Sequence, residues 1–139
     1  MAHARAAMAV FAWADQAAVD EAVVAIAWSL YKPENASALA DQAVADTGLG
    51  NAPDKVIKNT RKTFGTLRDL LRAKTVGLID HDPATGITRY GKPVGVVAAV
   101  TPSTNPAAAP VNKVMMAVKG VNAIITAPHP AVGPRPTPQ

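Results

Sequence analysis

The chain contains no cysteine. This excludes disulfides, thiolate metal sites and a cysteine nucleophile within its 139 residues. Aromatic residues are scarce, at 4% against a hydrophobic share of 49%. Alanine and valine therefore supply much of the apolar surface. Small side chains each bury little area, at about 25 cal/mol per Å², so a core built from them is expected to be marginal. No apolar run reaches the roughly 20 residues of a membrane span. No G-x-G-x-x-G, P-loop or G-x-S-x-G occurs. His3, His81 and His129 lie far apart without ligand spacing, so no metal site is expected.

Acidic residues thin out along the chain. Seven of the ten lie at or before Asp54, and none follows Asp82. Bases cluster instead: residues 55–74 hold seven (Lys55, Lys58, Arg61, Lys62, Arg68, Arg72 and Lys74) against one acid, Asp69, within a formal net charge of +4. A basic helix can bind nucleic acid through its phosphates. No interleaved aromatics or nucleic-acid motif accompany this one, so a solvated helix face is the better reading and nucleic acid the least favoured partner. A phosphate of CoA or of a cofactor is the weaker alternative. Near the start, Arg5 and the apolar stretch Ala6–Ala14 faintly imitate a secretory leader. The stretch is alanine-rich, not leucine-rich, and is read as a helix in a cytoplasmic protein.

The pattern gives four helices first. Ala2–Ala14 forms one. Asp15 caps the next, Gln16–Tyr31, with Val19, Val23, Ile26, Ala27 and Leu30 on one face. Pro33 opens a third, running to Thr47 with Leu39, Ala40, Ala43 and Val44 inward and Gly48 as its stop. A long fourth runs from Pro53 to Ala73 with Val56, Ile57, Thr60, Phe64, Leu67 and Leu71 as its apolar stripe. Trp13, Trp28 and Phe64 are read as core anchors. Val76–Asp82 and Ile87–Val94 flank the turn residues Asp82–Gly86 and form a hairpin. Asp80 and Asp82 share a strand face but flank a turn, which favours solvation over acid–base work.

The most informative run is Val94–Pro130. Val94–Val100 is near-continuously apolar, as in a strand buried on both faces of a parallel sheet. Thr101-Pro102-Ser103-Thr104-Asn105-Pro106 ends it, with Thr104 or Asn105 able to cap the helix that follows. Val111, Val114, Met115 and Val118 are that helix's stripe, and Gly120 is the expected left-handed cap. Ala123–Ala127 is a second strand, stopped by Pro128-His129-Pro130. Ligands of open parallel sheets bind beyond the carboxyl ends of the strands, so Thr101–Asn105 and Pro128–Pro130 mark a ligand end. The same residues also suit a plain turn and cap.

The blocks TPSTNP (Thr101–Pro106), NKVMMAVKG (Asn112–Gly120), NAIITAPHP (Asn122–Pro130), DTGLGN (Asp46–Asn51), DKVIKN (Asp54–Asn59), KPENA (Lys32–Ala36), RKTFGTLRDL (Arg61–Leu70) and KPVGVV (Lys92–Val97) occur in order. Together they resemble the CoA-acylating branch of the aldehyde dehydrogenase superfamily, over roughly Arg5 to Val132. Within the branch they look most like the acylating sulfoacetaldehyde and acetaldehyde dehydrogenases. The resemblance implies an α/β fold: N-terminal helices (1–75), an oligomerisation-type β-hairpin (76–94), the first βαβ unit of an NAD-binding Rossmann-like domain (94–130) and a proline-rich irregular tail (131–139).

It also implies a reaction. The family oxidises an aldehyde through a thiohemiacetal on a cysteine, reduces NAD, and passes the acyl group to CoA. Asn105 matches the asparagine whose amide faces the thiohemiacetal oxygen. Thr101, Pro102, Ser103 and Thr104 match the nicotinamide side of the cofactor site, and Ala127, Pro128 and His129 match the strand end facing the adenine ribose. The family's cysteine lies far downstream of these blocks. The expectation is an amino-terminal portion of such an enzyme, inactive alone, binding NAD weakly and prone to self-association as a homo-oligomer. The competing reading is a non-catalytic interaction module derived from the family.

Overall fold

Five helices and four strands follow one another through residues 1–130, which with Val132 are the residues that the computed structural model describes. They are α1 (Ala2–Phe11), α2 (Gln16–Tyr31), α3 (Pro33–Thr47), α4 (Ala52–Leu71), β1 (Gly77–Asp82), β2 (Ile87–Gly91), β3 (Val96–Val100), α5 (Ala108–Lys119) and β4 (Ala123–Ala127). Val132 apart, the expected irregular tail lies outside the described residues.

Local chemistry sets the helix ends. The Asp15 carboxylate accepts from the Ala18 amide at 2.8 Å and opens α2. Pro33 forces Lys32 out of the helical region, at φ −52° and ψ 129°, so α2 stops and α3 begins at the proline. Gly48, at φ 66°, ends α3 in the left-handed conformation that glycine adopts without steric cost. Asn51 caps α4, accepting from the Asp54 amide at 2.9 Å.

The end of α5 differs from expectation. Gly120 sits at φ −92°, and the left-handed residue is Val121, at φ 57°. The Asn122 amide donates to the Ala117 carbonyl at 2.9 Å and the Val121 amide to Val118 at 2.8 Å, the paired bonds of a Schellman turn. Glycine is needed at 120 for a different reason. A Cβ there would lie 2.7 Å from Nδ2 of Asn122, whose side chain folds back over the helix end. Its Oδ1 then accepts from the Val94 and Gly95 amides at 2.7 and 3.0 Å, tying the start of β3 beside the start of β4.

β1 and β2 form the antiparallel hairpin. Its turn is held by Asp82, which accepts from the Ala84 amide at 2.9 Å and the Thr85 hydroxyl at 2.7 Å. Asp80 forms an ion pair with Arg89 across the strands. The Arg89 hydrogen bond holds the Asp80 carboxyl below its ordinary range, and the Thr85 hydroxyl does the same for Asp82. Both carboxylates are engaged in hairpin structure. Gly91 packs against the chain before the hairpin, where a Cβ would meet the Thr75 carbonyl oxygen at 2.0 Å. β3 and β4 pair in parallel, in register from Val96 with Ala123 to Val100 with Ala127, and α5 is the crossover.

The core lies where α5 packs on α2 and α4. Val23, Ala27 and Met115 are its buried centre, with Ile26, Leu67, Leu70, Val111 and Val118 around them. Leu30, Ala107 and Ala108 continue it. One polar network crosses this core. The Lys119 ammonium, in a residue only 1% exposed, pairs with Asp20. Asp20 also accepts from Nε2 of Gln16 at 2.9 Å, and Gln16 Oε1 accepts from the Thr75 amide at 2.8 Å. The Thr75 hydroxyl donates to the Lys119 carbonyl at 2.5 Å, closing the circuit.

Several burial expectations are overturned. Trp13, Trp28 and Phe64 are not core anchors: they are 94%, 52% and 55% exposed. The interior is lined by alanine and leaves no room for large rings. Trp28, Tyr31 and Phe64 form a surface row instead, with ring centroids 6.0 and 6.2 Å apart. The buried line of α4 is Lys55, Asn59 and Thr63, one residue out of phase with the expected stripe, and Ile57, Phe64 and Leu71 are exposed. Asn59 decides the phase by donating to the Ala36 carbonyl of α3 at 3.1 Å. Leu39 of α3 is likewise exposed, with Ala36, Ala40 and Ala43 inward. β3 is not covered on both faces. Ala98 and Val100 share one face and are exposed, while Ala99 on the opposite face is buried, so only one side of this end of the strand is covered among the described residues.

Two outcomes are expected. Asp20→Ala should cost about 3 kcal/mol in chemical denaturation, the lower end of the range for unpairing a buried charge, because the Asp20 side chain keeps 31% exposure. The pair Asp20→Leu with Lys119→Met should recover most of that loss; if it does not, the lysine is held for a reason other than its charge partner. Light scattering should give a mass that climbs above 14.3 kDa with concentration, through the aromatic row and the open sheet edges. Phe64→Glu should reduce the climb, and a constant monomer mass at every concentration would refute this.

Candidate functional site

The parallel register brings the two carboxyl strand ends side by side. The Thr101 amide donates to the Ala127 carbonyl at 3.0 Å, and the Thr101 hydroxyl reaches the same oxygen at 3.3 Å. Thr101 is buried by this contact. Pro102 and Thr104 are exposed, and Ser103 and Asn105 half-buried, in the turn that leads to α5. Ala127, Pro128 and His129 are exposed beside them. All seven residues carried over for cofactor binding therefore lie at one end of the β3–β4 pair, with Asn105 beside them. His129 is also tied locally, its carbonyl accepting from the Val132 amide at 2.9 Å.

The expected side-chain cap is absent. α5 has Ala107 at its N-cap, and neither Thr104 nor Asn105 caps it through its side chain. The physical reason is that Pro106 and Ala107 add a turn before the helix, so Asn105 enters through its backbone: its carbonyl accepts from the Ala109 amide at 3.3 Å. The Asn105 amide group makes no hydrogen bond among the described residues, which leaves it able to donate. Lys113 of α5 reaches back to the Val100 carbonyl, placing a cation at the same strand end. Among the described residues no three His, Cys, Asp or Glu side chains group as a metal site, and no helix is long and apolar enough to cross a membrane.

The basic face of α4 is solvated at Lys58, Arg61, Lys62 and Arg68, as are Arg72 and Lys74 just beyond it, as expected, but Lys55 is 8% exposed. It borders a cavity of about 320 Å³ shared with Asn51, Lys58 and Thr104, so the start of α4 reaches the turn that carries Asn105. Sequence reasoning missed Lys55, Lys119 and Asn122. For Lys55 a signal existed: Lys55, Asn59 and Thr63 recur every four residues, the spacing of one helix face. For Lys119 and Asn122, whose partners Asp20 and Val94 lie 99 and 28 residues away, no local signal did.

No family model matches the chain. It is 58% identical over 130 residues, 94% of its length, to a protein named acylating sulfoacetaldehyde dehydrogenase from Cupriavidus necator, of which it covers 26%. It is 42% identical over 115 residues to an acetylating succinate-semialdehyde dehydrogenase from Clostridium kluyveri, covering 83% of this chain and 25% of that protein. Among solved structures, an acetylating aldehyde dehydrogenase from Geobacillus thermoglucosidasius superposes with a TM-score of 0.88 at 36% identity, over 93% of this chain and 28% of that one. The chain thus spans about a quarter of the length of the curated relatives it matches. With more than half of its residues shared across nearly its whole length, and with the fold shared as well, the chain belongs to the CoA-acylating branch of the aldehyde dehydrogenase superfamily.

Proposed function

We propose that this chain supplies the cofactor-facing part of an NAD-dependent, CoA-acylating aldehyde dehydrogenase, which converts an aldehyde, CoA and NAD to an acyl-CoA and NADH. The observation that carries this reading is the Thr101–Ala127 contact, which joins the two strand ends that the family uses for its dinucleotide. NAD would supply the hydride acceptor. Thr101, Pro102, Ser103 and Thr104 would border its nicotinamide side, and Ala127, Pro128 and His129 its adenine ribose. Thr101 serves by position, since its hydroxyl and amide are engaged with Ala127. The amides opening α5 add a favourable dipole toward an anion.

Asn105 is the proposed oxyanion donor. Its backbone is fixed by the first turn of α5 while its side-chain amide stays unengaged among the described residues, which suits a preorganised donor. The two relatives described above are named for sulfoacetaldehyde and succinate semialdehyde. Each of these aldehydes carries an anionic group at the end opposite the carbonyl, and we extend that substrate class to this chain. The second reading, an interaction module that docks on a full-length homologue, is favoured by the exposed row Trp28, Tyr31 and Phe64.

The chain by itself should give no NADH from an aldehyde, NAD and CoA, since no residue here replaces the thiolate. Turnover above buffer would overturn that expectation. In a full-length relative that carries these residues, Asn105→Ala should lower kcat by about 10²–10³, the worth of one oxyanion donor. A change confined to KM would assign Asn105 to binding. Co-purification of the chain with a full-length subunit, abolished by Phe64→Glu, would favour the module reading.

A further inference from the structure

Lys55 is a largely buried residue whose ammonium has no protein partner among the described residues and opens onto a cavity. Among the described residues its ammonium makes neither an ion pair nor a hydrogen bond, although the residue is only 8% exposed. Its stem is packed away from water while its charged head stays accessible, as long cationic side chains commonly arrange themselves, so the head is free to meet an anion from the cavity side. Its stem lies near Gly50, where a Cβ would be 3.8 Å from Lys55 Cε, and its head borders the cavity of about 320 Å³. That volume matches the lower end of small-ligand sites. Lys58 adds a second cation on the same wall. Asp54 also lines the cavity, but its carboxylate accepts from Nδ2 of Asn51 at 2.7 Å and pairs with neither lysine among the described residues. The opposite wall is Thr104, and the next residue along the chain is Asn105. Consecutive Cα atoms are about 3.8 Å apart, so the backbone of Asn105 lies directly beside the cavity wall that faces the two cations.

We propose that Lys55, assisted by Lys58, forms an anion subsite that holds the sulfonate or carboxylate end of an aldehyde whose carbonyl faces Asn105. This rests on the acylating-dehydrogenase reading for the aldehyde itself, but the anion site can be tested without turnover. Lysine suits the task as a compact point charge with rotatable donors, able to serve a sulfonate or a carboxylate alike. A neutral aldehyde would leave the ammonium unpaired, which makes the subsite a specificity determinant.

The test is an amide NMR titration of the chain with 2-hydroxyethanesulfonate and, separately, with succinate, each against sodium chloride at equal ionic strength. Saturable shifts at Gly50, Asn51, Lys55 and Thr104 are expected with both organic anions, weakened about ten-fold in Lys55→Met, the equivalent of about 1.4 kcal/mol. Shifts that match the chloride control, or equal affinity in Lys55→Met, overturn the proposal. Tighter binding of adenosine 3′,5′-bisphosphate at the same amides also overturns it, assigning the cations to a nucleotide phosphate. Where circular dichroism shows that Lys55→Met has lost its helices, Lys58→Gln decides, and unchanged affinity there sinks the subsite. In a full-length relative with lysine at both positions, Lys55→Met should raise KM for the anionic aldehyde about ten-fold and leave acetaldehyde turnover within about two-fold. Equal losses on both substrates count against the subsite. Failure of the unmutated enzyme to oxidise any aldehyde defeats the broader reading instead, and the anion titration then decides this one by itself.

Discussion

The buried Lys119–Asp20 pair is the contact on which the rest of the arrangement depends. An ammonium removed from water needs a partner and saturated hydrogen bonds. Here the partner comes from α2 and the supporting groups from Gln16 and Thr75. The network therefore constrains three segments at once: the first turns of α2, the last turn of α5, and the chain entering the hairpin. Polar networks of this kind also specify register, since a one-residue rotation of α5 would leave a buried charge alone. An apolar contact in the same place would tolerate such a slip.

From that fixed helix end the geometry of the ligand end follows. Val121 turns into the left-handed region, and Asn122 folds back and clamps the amides of Val94 and Gly95. Two strands separated by a whole helix thereby start at the same level. Parallel pairing then carries them five residues to a common finish, where Thr101 meets Ala127. The site is thus assembled from both ends of α5. Its crossover ends at the clamp, and its first turn holds the backbone of Asn105.

Small side chains shape what surrounds this frame. Ala27, Ala36, Ala40, Ala43, Ala108 and Ala117 line the interior, which lets the helices approach closely and leaves no volume for an indole or phenyl ring. Trp28, Tyr31 and Phe64 consequently lie on an outer groove between α2 and α4, and the inward line of α4 is polar. A lysine on that inward line is unusual for a core, and it gives the turn-facing end of α4 a positive character that composition alone would assign to solvent.

The sequence by itself determined the elements and their order. Asp15, Pro33, Gly48 and the Asp82–Gly86 turn act through bonds to residues a few positions away, so their consequences are written locally. The blocks around Thr101–Pro106 and Asn122–Pro130 are legible for the same reason, and they carry the family resemblance in the sequence alone. Tertiary structure decided the rest. Which face of α4 turns inward depended on Asn59 finding a carbonyl of α3. Which residue takes the left-handed turn depended on Asn122 reaching the start of β3. Whether a lysine is solvated or buried depended for Lys119 on Asp20, far away along the chain, and for Lys55 on the packing of the start of α4 beside the Thr104 turn. Periodicity reports that a helix has faces, but a polar group chooses its face by the partner it meets, and that partner is fixed only when distant segments pack together.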